Sequence, residues 1–186
     1  MEGSLDDVVA KVLALGAAHA AIAEVKDIIF NEEFRTQCEQ NVCGNYNKNW
    51  MCPPAVGDIK DLKARVLKFE RGLLIQTVHK LENSFDWKGM MKAAERHTEL
   101  FRNILEDLQK EPYFREMLPL NAGPCTYCQR CAFLDSEACR CPEQALSSVE
   151  ASGIDVMALE KSCGIPYYNG KNTVSYVGLV LFKSEA

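Results

Sequence analysis

The stretch IPYYNGKNTVSYVGLVLF, residues 165–182, decides the architecture. From 176 to 182 it is apolar at both alternating positions, a pattern a strand tolerates when both of its faces are covered. That places it as a central strand of a sheet. Asn169-Gly170 lies ahead of it between strand-like runs, the sequence signal of a tight hairpin.

Working outward, GLLIQTV (72–78) reads as a short buried strand, and the weakly alternating AAIAEVKDI (20–28) as a first strand. SLDDVVAKVLALG (4–16) sets Leu5, Val8, Val9, Val12 and Leu13 at helical spacing, with Gly16 as the stop. GDIKDLKARVLKF (57–69) opens on Asp58 as N-cap and lines Ile59, Leu62, Val66 and Leu67 along one helical face. The longest periodic segment, about 87–117, carries Met90, Met91, Ala94, Phe101, Ile104, Leu105 and Leu108 at spacings of three and four; it predicts a helix interrupted or ended near Pro112. IDVMALEKSCG (154–164) predicts a shorter helix, capped by Asp155 and stopped by Gly164. The class is α+β: a small mixed or antiparallel sheet packed by helices, with cysteine-rich loops between periodic segments.

With 186 residues, 47% apolar and 25% charged, the chain can build a core without disulfides. No repeat or long linker divides it, so residues 1–186 read as a single metal-binding domain. The start, MEGSLDDVVAKV, carries acid where a secretory signal carries Lys or Arg, and no stretch approaches the ~18 uninterrupted apolar residues of a membrane span. The expected location is the cytoplasm, where nine cysteines read better as metal ligands than as a disulfide framework. A net charge of -5 without a Lys/Arg run argues against nucleic acid or an anionic membrane as partner. The oligomeric state stays open.

GPCTYCQRCAFLDSEACRCPE (123–143) holds Cys125, Cys128 and Cys131 at CxxCxxC spacing, followed by Cys139 and Cys141. Two-residue gaps let a looped chain aim three thiolates at three corners of a cubane cluster, the fourth ligand coming from further away. Cys141-Pro142 mimics the ferredoxin ending, and spacing leaves the choice between Cys139 and Cys141 open. The competing reading is structural zinc on Cys125, Cys128, Cys139 and Cys141, which leaves Cys131 without a role. Arg130 and Arg140 either offset cluster charge or are ordinary loop arginines.

CEQNVCGNYNKNWMCPP (38–54) holds Cys38, Cys43 and Cys52 at gaps of four and eight. Gly44, four asparagines and two prolines disfavour regular structure over much of it, so turns, packing or metal must shape it. Three thiolates are one short of a closed site. Either a remote residue completes it, with Cys141, Cys163 and His19, His79 or His97 as candidates, or one metal position stays open to a small ligand. Cys163 equally reads as a small packed hydrophobe, and Tyr46 and Trp50 as either a water shield or ordinary packing.

The pieces C-x4-C-x8-CPP, CxxCxxCAFLDSEACRCPEQALSSVEASGIDV and TVSYVGLVLF together resemble a domain-of-unknown-function family of small cysteine-rich proteins described as predicted metal-binding and common in anaerobic archaea and bacteria. The resemblance runs from about Ala20 to Phe182 and implies a metal or iron–sulfur protein rather than a particular reaction. It selects Cys38, Cys43, Cys52, Cys125, Cys128, Cys131 and Cys139, tips the fourth-ligand choice toward Cys139, and makes Cys141 an extra or substitute metal ligand. Relatives often have glycine where this chain has Asn47.

The leading expectation is an iron–sulfur protein with one or two [4Fe-4S] clusters that serves redox or electron-transfer chemistry with a redox partner protein. One alternative is an enzyme whose three-cysteine group holds a cluster with an open iron acting as Lewis acid; another is a zinc-stabilised interaction module. No GxGxxG or Walker loop points to a nucleotide.

Overall fold

The computed structural model describes residues 4–183. Its elements in chain order are α1 (Leu5–Ala14), β1 (His19–Glu24), α2 (Glu33–Glu39), α3 (Ile59–Val66), β2 (Arg71–Lys80), α4 (Trp87–Leu108), β3 (Met117–Asn121), β4 (Ser147–Ser148), α5 (Val156–Ser162) and β5 (Thr173–Phe182), joined by loops and short 3-10 turns. The strands form one sheet in the order β1-β2-β5-β3-β4, antiparallel throughout except for the parallel β3–β4 pair. The class is therefore α+β with a mixed sheet, as the sequence predicts.

β5 holds the centre. It pairs with β2 along its whole length, from Arg71 opposite Phe182 to Lys80 opposite Thr173, and with β3 over its last residues. Its alternate residues divide between two cores. Val180 and Phe182, with Leu73 and Ile75 of β2, pack against Val8 and Val12 of α1 and the Phe101, Ile104 and Leu108 stripe of α4. Val177, Leu179 and Leu181, with Leu74, pack against Val66 of α3, Leu159 of α5 and Ile154. A side chain of this size, fully buried, stabilises the fold by about 1.5–3 kcal/mol, so both faces of the strand contribute. A Cβ at Gly178 would run into the Phe101 ring, so glycine here permits the close approach of α4.

The helix starts follow from capping. Ser4 and Asp7 close a reciprocal capping box on α1, Asp58 accepts from the Lys60 N–H, and Asp155 accepts from the Ala158 N–H. Asp86 caps α4 through the Gly89 N–H.

Several sequence expectations shift. Asn169-Gly170 forms no hairpin: the turn falls on Lys171-Asn172 just after it, the run before it is not a strand, and β5 takes its neighbours from β2 and β3. The Asn169 amide donates instead to Gln76 Oε1, the Pro166 carbonyl and Ser175 Oγ, and Tyr167 and Tyr168 stay on the surface. The long helix ends at Leu108; Pro112 opens a 3-10 turn, and Met117 begins β3, a strand the helical pattern had hidden. At its start α4 buries Ala93 and His97 rather than Met91, which is exposed, while Met90 and Ala94 are half-buried. Leu13 and Leu67, placed on buried faces by periodicity, are exposed at helix ends.

Two irregular segments carry eight of the cysteines, 38–54 and 123–143, and the fold pins both. Leu120 and Asn121 of β3 pair with Ser147 and Ser148 of β4, so the second segment leaves and rejoins the sheet at adjacent points. The first runs from α2, which carries Cys38, toward α3, and both helices pack on the turn at 150–152.

Candidate metal centre

The asparagines of the first loop shape its turns. Asn41 and Asn47 adopt left-handed backbone at φ 55, as does Gly44 at φ 76. Asparagine is among the side chains that accept this region most readily, so Asn47 makes the turn without glycine. Asn41 Oδ1 accepts from the Tyr46 N–H at 3.0 Å, and Asn45 donates to the Cys43 carbonyl at 2.9 Å. The Asn47 N–H donates to the Pro53 carbonyl at 2.8 Å, closing the loop just after Cys52.

Two side chains fasten this loop to the second. Asn49, buried, donates through Nδ2 to the Cys125 carbonyl at 2.8 Å and accepts from the Met51 N–H at 2.9 Å. The Trp50 Nε1–H donates to the Glu137 carbonyl at 3.0 Å, and its indole meets the Phe133 ring edge-on with centroids 5.1 Å apart. Trp50 thus clamps two cysteine loops together, more than the simple shield or packing read from sequence. Asn49 was missed altogether, because nothing in the run GNYNKN distinguishes one buried asparagine from its exposed neighbours.

Cys125, Cys128, Cys131, Cys139 and Cys141 all line one cavity of about 20 Å³, together with Asn49, Trp50 and Arg140. Burial raises the Cys128 thiol, and its strongest neighbour is Cys141, followed by Cys125 and Cys139. Burial likewise pushes the Cys52 thiol up to about 12, helped by Cys43 and Cys38 of its own loop and by Cys125 and Cys131 of the other. Cys38 is raised by burial, against the pull of Arg35, with Cys43 adding to the rise. The two cysteine groups, far apart in sequence, form one neighbourhood bridged by Cys52.

Arg130 and Arg140 are spent locally. Arg130 reaches Asp135 at 2.9 Å, and Arg140 reaches Glu137 at 2.9 Å and Asp135 at 3.5 Å, so their charges are largely matched by loop acids. Arg102 of α4 braces the same loop, donating to the Gln144 carbonyl at 3.0 Å and stacking over Tyr127 at 4.7 Å.

The remaining candidates lie elsewhere. Cys163 caps α5, packs against the second core and is raised by burial, the behaviour of a small hydrophobe. His97 is buried with Nδ1 2.8 Å from Thr77 Oγ1, and His79 Nε2 lies 3.0 Å from the same hydroxyl. His19 is half-buried on β1. The strongest neighbours of Cys38, Cys52 and Cys128 include no histidine.

The donor chemistry fits a soft metal or an iron–sulfur group: burial and neighbouring thiols disfavour the thiolate forms, and a bound cation offsets that by displacing the protons. The side chains are gathered but not fully set: among the described residues no three His, Cys, Asp or Glu side chains already form a group able to hold one ion. Also among the described residues, no helix is long and apolar enough to cross a membrane. Comparison with curated proteins and with solved structures gave no match. The model of one family, described as predicted metal-binding protein (DUF2284), matches residues 21–182, and so takes in both cysteine loops and the closing central strand. The chain belongs to this predicted metal-binding family.

Proposed function

We propose that the protein carries iron–sulfur clusters on its two cysteine loops, one or two [4Fe-4S] groups in all, and uses them to pass electrons to a partner protein. The carrying observation is five thiols of the second loop around one cavity, with the first loop and its Cys38, Cys43 and Cys52 tied to that loop by the Asn49 and Trp50 hydrogen bonds. Eight cysteines in that neighbourhood can supply two sets of four, with Cys163 left to the core. This makes an iron site without a fourth thiol unnecessary, and so counts against the open-iron enzyme. Such clusters supply one-electron redox chemistry. The protein's part is to hold the sulfurs, which Asn49, Trp50 and Arg102 do by fastening loop to loop and loop to helix. Trp50, Met51 and Ala132 add an apolar lining, which lowers local polarity and so tunes a cluster's potential.

Structural zinc is the second reading, and one observation favours it. The thiols acting most strongly on Cys128 are Cys141, Cys125 and Cys139, the set a tetrahedral zinc would use, and the cavity they share is ion-sized. Anaerobic purification followed by iron, zinc and acid-labile sulfide analysis decides between them. Iron and sulfide in near-equal amounts with a reducible spectrum are expected. Stoichiometric zinc without sulfide would replace the iron–sulfur reading, and clusters silent to every accessible reductant would end the electron-transfer proposal.

A further inference from the structure

A second concavity of about 700 Å³ opens beside the first residues of β5, walled by the turn at 150–152, α5 and the segment around Tyr167. Its charged lining residues among those described are all acids: Glu150, Asp155 and Glu160. Asp155 is committed to capping α5. Glu160 is different. It is only 1% exposed, Gln76 Nε2 fixes its Oε1 at 2.6 Å, and its Oε2 is buried without a hydrogen-bond partner. Gln76, itself wholly buried on β2, is held in turn by Asn169, so the carboxylate is positioned through two successive amides rather than left loose.

A buried carboxylate oxygen without a donor is costly, and that cost is relieved by a positive group bringing its own N–H. Burial raises the Glu160 carboxyl, Gln76 opposes this, and the charge of Glu150 raises it further, while among the described residues no Lys or Arg lines the groove. Aromatic and apolar surface stands beside them in Phe34, Tyr167 and Val177. Carboxylates with an adjacent aromatic wall match the two halves of an amine.

We propose that this groove binds a small organic ammonium compound, its N–H donated to Glu160 Oε2, its charge set against Glu160 and Glu150, and its apolar part laid along Tyr167. The groove and the sulfur cavity share no lining residue, although Glu150 also acts on Cys38 of the first cysteine loop.

The test uses the full chain, purified without oxygen, in equilibrium dialysis against benzylammonium, with benzyl alcohol and benzoate as neutral and anionic counterparts. Benzylammonium is expected to bind saturably, with both counterparts weaker by about tenfold or more. Glu160→Gln, which keeps the Gln76 hydrogen bond, should weaken it by a similar factor. Tyr167→Ala, at a position 59% exposed and outside the core, should weaken it by a smaller factor without disturbing folding. The proposal is overturned if benzylammonium fails to bind up to about 10 mM, or if benzyl alcohol binds as well. It also falls if both variants bind as wild type does, or if magnesium or calcium at equal concentration displaces the amine. Metal content measured on the same samples keeps this result apart from the fate of the sulfur site.

Discussion

Replacing Asn49 by alanine tests whether the two cysteine loops act as one unit. The side chain makes two hydrogen bonds, 2.8 Å to the Cys125 carbonyl and 2.9 Å from the Met51 N–H, and it is 7% exposed, so water cannot easily take its place. A net hydrogen bond is worth about 1 kcal/mol, and leaving its partners unsatisfied adds to the loss, so about 2 kcal/mol is expected. Nearly all of that should fall on the loops, because Asn49 belongs to neither sheet core. Metal should therefore leave about thirtyfold faster when the protein is challenged with a chelator, while the cooperative unfolding of the sheet moves little. The assay is release of iron or zinc to a coloured chelator, set beside urea unfolding followed by circular dichroism. Release at the wild-type rate would refute the view that Asn49 couples the loops. An equal loss in both assays would show that the loops and sheet unfold together.

Cys141→Ser should reduce bound metal while Cys163→Ser leaves it unchanged, as metal analysis of the two variants would show; the first lines the sulfur cavity and the second packs against the second core at the end of α5. Gly178→Ala should cost about 1–3 kcal/mol by driving a methyl group into the Phe101 ring, read as a fall in Tm with metal content intact. His97 should make stability depend on pH. Burial, reinforced by His79 and opposed by Asn121, lowers it to about 4 from its ordinary 6.5, so protons favour the unfolded chain. Its contribution is fully present above pH 6.5 and declines as pH falls toward 4, by about 3 kcal/mol at most. Urea midpoints across that window should slope less in His97→Gln than in wild type, and equal slopes would exclude the buried imidazole as the source.

Much of the fold is legible in the chain because its signals are local. A strand apolar on both faces, such as 176–182, requires covering layers, and acidic residues at helix starts mark Asp58 and Asp155 as caps. β3 was not legible, since MLPLN is short and contains proline, both weak strand signals, and its first residue falls inside the segment whose spacing predicts helix. The absent hairpin at Asn169-Gly170 failed for the opposite reason: the local turn signal is strong, but the Asn169 amide is drawn to buried Gln76, the Pro166 carbonyl and Ser175.

The same division runs through the candidate site. Residue type and spacing alone pick out the eight cysteines of the two loops and the chemistry of soft sulfur donors, because ligand identity is written in the residues themselves. Only the folded chain ties the Cys52 loop to the Cys125 loop, seats Asn49 between them and sets Cys163 against the second core. Those outcomes depend on how β3 and β4 pin one loop while α2 and α3 set the other, and contacts across 70 or more residues leave no periodic trace in sequence.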